Sequence, residues 1–352
     1  MNTEQLDIIR RQVKSSGPAI VLAVFRNEIA RIPNWLEHYR SIGIKEFIVI
    51  DNGSSDGSYR YLLNQPDVTA LQTKDSFLEA NFGMDWINAV RRVLPPETWT
   101  IYADADEYIV YSGWPSRSVD DFVAAMDKNA NAVFGFMLDM YSRDGASTAD
   151  AGTDLLKECR FFDKSYHFRR MPLKPWEKRR DVLEVVGGPR LRLLSSLARE
   201  MKTTWIDYLI RGQLDRILKY VPARFRRKVI ETYPTQMPAL GKTPFTKCGH
   251  GDYQNSHSLV EPPTPVYAEE TVVLLHYKFT SDLYNKIKVE SQRGEHFRFG
   301  AEYILYDRVI SKIGDILLFS EEHSAEFVTA RDLEEAHLVG RFRTMLDSMA
   351  AS

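Results

Sequence analysis

Apolar and polar positions along the first 140 residues alternate between two periods. Ala19 to Phe25 is a continuous apolar run between Gly17-Pro18 and polar Arg26-Asn27-Glu28, the pattern of a strand buried on both faces. Trp35, Leu36, Tyr39 and Ile42 recur at helical spacing with Gly43 as a stop, and Glu46 to Ile50 returns to strand. Small and polar residues from Asp51 to Gly57 make a tight turn into a helix over Ser58 to Asn64. A strand over Val68 to Gln72 and an amphipathic helix over Asp85 to Leu94, stopped by Pro95-Pro96, lead to a fourth strand ending at Ala103. Four rounds of alternation predict an α/β fold: a mostly parallel central sheet, helices on both faces and right-handed crossovers.

Further on, the spacing predicts a helix over Val119 to Asn129 and a strand over Ala132 to Tyr141, while Ser142 to Gly188 mixes its signals. Val272 to Phe279 reads as a strand, and Asp282 to Arg293, Phe299 to Ile313 and Ala330 to Met349 read as a C-terminal helical extension.

Composition narrows the class. The chain has 352 residues, 46 Lys and Arg against 48 Asp and Glu, and a net charge of −2, which gives no reason to expect a nucleic-acid partner. Two distant cysteines, Cys159 and Cys248, make no metal spacing and suit a reducing cytoplasm. The N-terminus lacks a signal-peptide core, and the longest apolar runs are too short to span a bilayer, so a cytoplasmic location is expected. Charge concentrates locally: Arg190 to Lys228 carries 11 basic and 3 acidic residues interleaved with Trp205, Leu209, Leu214 and Ile217. That segment reads either as a basic amphipathic helix at the inner membrane face or as a core-packing helix with a solvated charged side.

The chemistry concentrates in WTIYADADEY, Trp99 to Tyr108, where a buried strand runs into Asp104, Asp106 and Glu107. Carboxylates confined at the carboxyl edge of a sheet repel one another, and a hard divalent cation, Mn²⁺ or Mg²⁺, relieves that repulsion while bridging to substrate phosphates. This is the single D-x-D of the chain. A solvated acidic turn is the plain alternative.

Three segments, VFRNEIARIPNWLEHYRSIGIKEFIVIDNGSSDG, WTIYADADEYIV and LLHYKF at Leu274 to Phe279, together resemble glycosyltransferase family 2. Within it they are similar to the bacterial branch that shares the R-N-E, D-N-x-S-x-D-G and D-x-D-E elements with the DUF23-like (family 92) enzymes. The resemblance covers Ala19 to Tyr111 and, more loosely, the chain to Ser281. It implies a GT-A fold, a nucleotide-sugar donor such as a UDP-sugar, and a cation on the D-x-D element. It divides the chain into a donor-binding half (17–145), an acceptor-binding half (146–281) and a helical region (282–352).

On that resemblance Arg26, Asn27, Glu28, Asp51, Asn52, Asp56 and Asp104 line the donor pocket, with Arg26 equally readable as a structural salt bridge. Asp104 and Asp106 hold the metal, Glu107 stands behind them, and His276 is the third ligand, with His257 competing. Arg190, after the Gly187-Gly188 turn, and Lys242 are candidate diphosphate contacts, each readable also as plain loop chemistry. The expected reaction is inverting, an acceptor hydroxyl on a glycan or lipid-linked glycan being deprotonated by a carboxylate. Asp139 is the first candidate for that base, with Asp144 and Glu184 behind it. A haloacid-dehalogenase-type phosphatase fits poorly, because Tyr108 follows Glu107 where its motif continues with Thr or Val. A fold that has lost activity and serves as a binding or scaffolding protein is the remaining rival.

Overall fold

The computed structural model describes residues 3–14, 17–170, 183–199, 220–232, 240–255, 258–259, 265–293 and 297–342. Helix α1 (Thr3–Gln12) precedes the alternating run β1 (Ile20–Phe25), α2 (Ile32–Ser41), β2 (Phe47–Asp51), α3 (Ser58–Leu63), β3 (Val68–Gln72), α4 (Met84–Val93) and β4 (Trp99–Tyr102). Next come β5 (Glu107–Tyr111), α5 (Val119–Ala124), β6 (Ala132–Tyr141), α6 (Leu155–Glu158), β7 (Phe161–Asp163), β8 (Tyr166–Arg170), β9 (Leu183–Gly187) and α7 (Gly188–Arg199). The chain continues through α8 (Ala223–Thr232), β10 (Gly241–Lys247), β11 (Tyr253–Asn255), β12 (Ser258–Leu259) and β13 (Val272–His276). It ends with α9 (Leu283–Arg293), α10 (Phe297–Ile313), β14 (Ser324–Glu326) and α11 (Ala330–Glu335).

The result is a mixed α/β fold on a mostly parallel sheet. Strands β3, β2, β1 and β4 lie side by side and parallel. Strand β10 enters antiparallel between β4 and β6, and β13 runs parallel to β6 on its other side while pairing antiparallel with β5. Segments 17–145 and 146–281 therefore contribute to one sheet. Two antiparallel steps make β6 and β13 parallel to β1–β4, so Asp51 and His276 finish strands at the same edge, and Asp139, two residues before the end of β6, lies beside His276 there. For the same reason the first residues of antiparallel β10, Gly241 and Lys242, arrive at that edge too.

The period-2 alternation of the sheet sorts the core into two layers. Val21, Ala23 and Phe25 of β1 pack with Trp35, Leu36 and Tyr39 of α2, whereas Ile20 and Leu22 pack with Met84, Ile87 and Val90 of α4. A side chain at Gly135 would put its Cβ 2.8 Å from Val272 Cγ2, so the bare backbone there lets β13 lie against β6. That contact starts the ladder that ends with His276 beside Asp139.

The predicted elements hold through residue 141, with differences at their ends. The acid-tipped strand is two strands: β4 stops at Tyr102, and after a turn β5 starts at Glu107 and pairs with β13. The helix predicted to Asn129 ends at Ala124, and the strand predicted to Phe279 ends at His276. The helix predicted over Ala330 to Met349 stops at Glu335, because His337 takes a left-handed φ of 57° and Gly340 a φ of 149° that interrupt any helical ladder. Residues 343–349 of that prediction lie outside the described residues.

Candidate active site

Three ion-paired networks meet at the carboxyl edge. The first surrounds Lys242, whose side chain is 2% exposed. Its ammonium donates to Glu107 Oε1 at 2.5 Å and to Asp104 Oδ2 at 3.2 Å, while Asp104 Oδ1 accepts from the Tyr102 hydroxyl at 2.9 Å. Glu107 folds back as well, its Oε2 accepting from the Asp104 amide at 3.2 Å. Burial alone would lower the lysine, but the Glu107 and Asp104 charges outweigh it and carry the ammonium above its ordinary range. Burial pushes Glu107 up, against the pull of Lys242.

The second network holds His276. Its Nδ1 lies 2.7 Å from Asp139 Oδ1, and Asp139 is clasped on both oxygens by Arg190 at 2.6 and 2.7 Å. Asp139 is acceptor-only, so Nδ1 donates to it, and Nε2 faces Asp106 Oδ2 at 3.6 Å. Burial would raise both carboxyls, yet Arg190 and His276 hold Asp139 well below the carboxylate range, and His276, Lys286, Arg31 and Lys278 do the same for Asp106. Arg190 also reaches Glu302 of α10 at 3.4 Å, and Glu302 pairs with Lys278 at 2.9 Å.

The third network ties the loop after β1 to α9. Arg31, 3% exposed at its side chain, pairs with both oxygens of Asp282, donates to Thr280 at 2.7 Å and reaches Glu28 at 3.1 Å. Lys286 pairs with Glu28 at 2.6 Å. Across the three networks, seven carboxylates face five lysine and arginine side chains, so, His276 aside, the edge carries an excess of two carboxylates.

The donor-side candidates divide. Asp51 is fully buried; its Oδ1 accepts from the Ser54 amide and Gln72 Nε2, both at 3.0 Å, and its Oδ2 has no partner among the described residues. A buried carboxylate oxygen without a donor is costly, and this one has no accessible surface. Asn52 is committed to the carbonyls of Asp75 and Thr73, and Arg26 donates to the Asn52 carbonyl at 2.8 Å. Asn27, at φ 55°, and Asp56 pin the β1 and β2 loops together, Asn27 accepting from the Ser55 amide and Asp56 from the Ile29 and Ser58 amides. Glu28 faces Arg31 and Lys286.

Among the base candidates, Asp139 has both oxygens engaged and no exposed surface. Asp144 is exposed three residues beyond β6. Glu184 lies on β9 opposite Arg169, and its side chain, like all of His257, lies outside the described residues.

The structure thus brings Asp104, Asp106, Glu107, Asp139, Arg190, Lys242 and His276 together. Among the described residues no group of three or more His, Cys, Asp or Glu side chains is arranged to hold a metal; Asp106 and His276 supply two donors facing one point. Sequence reasoning missed Arg31, Lys278, Asp282, Lys286 and Glu302. For Lys278 a signal existed, its place two residues after His276 in LLHYKF; the pairing of Arg31 with Asp282 and of Glu302 with Arg190 joins residues too distant in the chain for spacing to reveal. Of the basic segment, α7 and α8 are described and residues 200–219 are not. No helix among the described residues is long and apolar enough to cross a membrane. No family model matches the chain, and no curated protein matches it.

Proposed function

We propose that this protein is a metal-dependent glycosyltransferase of GT-A type, moving a sugar from a nucleotide-sugar donor to a glycan or lipid-linked glycan. The observation that carries the reading is the pairing of Asp106 with His276 Nε2 at 3.6 Å, the histidine being held through its other nitrogen by a carboxylate, as metal-ligating histidines are held. The excess of two carboxylates at the edge suits one divalent cation, and the parallel order β3-β2-β1-β4 followed by antiparallel β10 supports the fold assignment.

In this reading Asp106 and His276 would hold Mn²⁺ or Mg²⁺, and a bound ion would supply positive charge for the departing diphosphate. Arg31, Lys278 and Lys286 add positive potential around Asp106, so charge developing on the leaving group meets fixed cations. Asp139 acts through His276 rather than on the acceptor, which leaves Asp144 as the described candidate with an exposed carboxylate.

The test is thermal unfolding with a panel of nucleotide sugars, with and without Mn²⁺. A ligand bound only by the native state raises the melting temperature. The expected result is a rise with one donor that requires Mn²⁺, that is lost in Asp106→Asn, and that accompanies donor hydrolysis or transfer. Protection by a donor that is never turned over would favour the scaffolding alternative, and no protection by any donor would overturn the reading.

A further inference from the structure

The basic stretch from Arg190 to Lys228 divides in the structure. Its first arginines turn inward: Arg190 clasps Asp139, and Arg192 pairs with Asp163 at 2.7 Å and donates to the Leu318 carbonyl at 2.6 Å. These contacts anchor α7 to the sheet. At the other end of the stretch α8 is rooted along one side, where Ile230 is fully buried against Ala301 and Ile304 of α10. Phe225, five residues earlier and more than a third of a turn around the helix, is 50% exposed, and Tyr220, just before the helix, is 89% exposed. Of the seven large hydrophobic side chains exposed among the described residues, these two are the only aromatic ones. Lys228, one turn beyond Phe225 on the same side, is exposed as well, and residues 220–232 carry four basic residues against one acidic.

A surface for an acidic polymer needs the positive charge but has no use for exposed rings. A membrane interface takes both, since aromatic rings settle at the level of the headgroups while basic side chains meet anionic lipid. A helix of ten residues is too short to cross the hydrocarbon and would lie in the plane of the surface. We propose that the face of α8 bearing Phe225 and Lys228, together with Tyr220, rests on an anionic lipid bilayer. Helix α10 beneath it carries Glu302, which pairs with Arg190 and Lys278, so α10 joins the lipid-facing helix to the wall of the candidate site. The proposal stands on exposure and charge and does not depend on the transferase reading.

The experiment is co-sedimentation of the full chain with vesicles of phosphatidylglycerol and phosphatidylcholine in equal parts, and with vesicles of phosphatidylcholine alone. Wild type should sediment with the anionic vesicles only, and should be released at about 1 M salt, where the screening length is about 3 Å. Replacing both rings, Tyr220→Ser with Phe225→Ser, should weaken the partition about tenfold, and Lys228→Gln should weaken it about fivefold. Circular dichroism checks that each variant is folded. Phe225→Trp keeps a ring suited to the interface and should bind at least as well as wild type; if it loses binding as the Ser pair does, the ring serves packing and the proposal falls. Absence of wild-type sedimentation, or sedimentation that survives the Ser pair, overturns it. Binding to heparin without binding to the anionic vesicles overturns it in favour of an acidic polymer.

Discussion

Two acidic turns close the strands on either side of β1, and they are held in opposite ways. The turn after β2 draws its partners locally: Asp51 takes the Ser54 amide and Gln72, and Asp56 takes the Ser58 and Ile29 amides, each of these partners lying within 27 residues. The turn after β4 is satisfied from afar, Asp104 and Glu107 by Lys242 at separations of 138 and 135 residues, Asp106 by His276, and His276 by Asp139 at a separation of 137. Backbone amides stabilise a carboxylate with little desolvation of charge, whereas a buried ion pair must offset the desolvation of both partners. The first turn tolerates the loss of a contact. The second answers the loss of one cation by stranding a buried anion.

Substitutions can set the two regimes apart. The largest effect is expected from Arg190→Leu, which leaves Asp139 buried opposite a lone histidine and should cost about 4 kcal/mol in chemical denaturation. Lys242→Met should cost about 3 kcal/mol by stranding Glu107, and adding Glu107→Gln should recover most of it, a coupling that a double-mutant cycle measures directly.

The tether to α9 carries a pH signature. Burial would raise Asp282, but Arg31 and Lys286 outweigh it and hold its folded-state value at about 2, below the ordinary value of 3.8. A depressed folded-state value means that the stabilisation is present above about pH 4 and is lost as the pH falls toward 2. Asp282→Asn should flatten that part of an acid unfolding curve monitored by circular dichroism. The smallest effect belongs to the local turn, where Asp56→Ala removes acceptors from exposed and half-buried amides and should cost about 1 kcal/mol.

The same contrast explains what could be read in the sequence. The β-α alternation through residue 141 was legible because each strand and helix is specified by its own apolar period and its own stop signals, as in the run from Ala19 to Gly43. The D-x-D element was legible as a carboxylate cluster, and Asp139, Arg190, Lys242 and His276 were legible as chemically apt residues. Their pairing was not. Nothing in GPRLR indicates that Arg190 clasps Asp139, and the role of Lys242 depends on an antiparallel strand inserted between two parallel ones, a matter of topology rather than of local pattern. The C-terminal boundary failed for a related reason, since the stop at His337 is a backbone turn within an otherwise helix-forming run.

The insertion of β10 has a consequence for the order of biosynthesis. Chains leave the ribosome from the amino terminus, and strands β1 to β4 can associate once the turn after β4 has emerged. At that stage Asp104, Asp106 and Glu107 crowd one edge without Lys242, His276 or the chain that carries Arg190, so the nascent sheet holds its carboxylates against mutual repulsion and against an unfilled gap beside β4. Residues 241–276 thus complete the edge that residues 20–107 begin, and a ribosome stalled before residue 240 would expose a half-built sheet whose acidic turn lacks Lys242 and His276, the form that chaperones and proteases would meet.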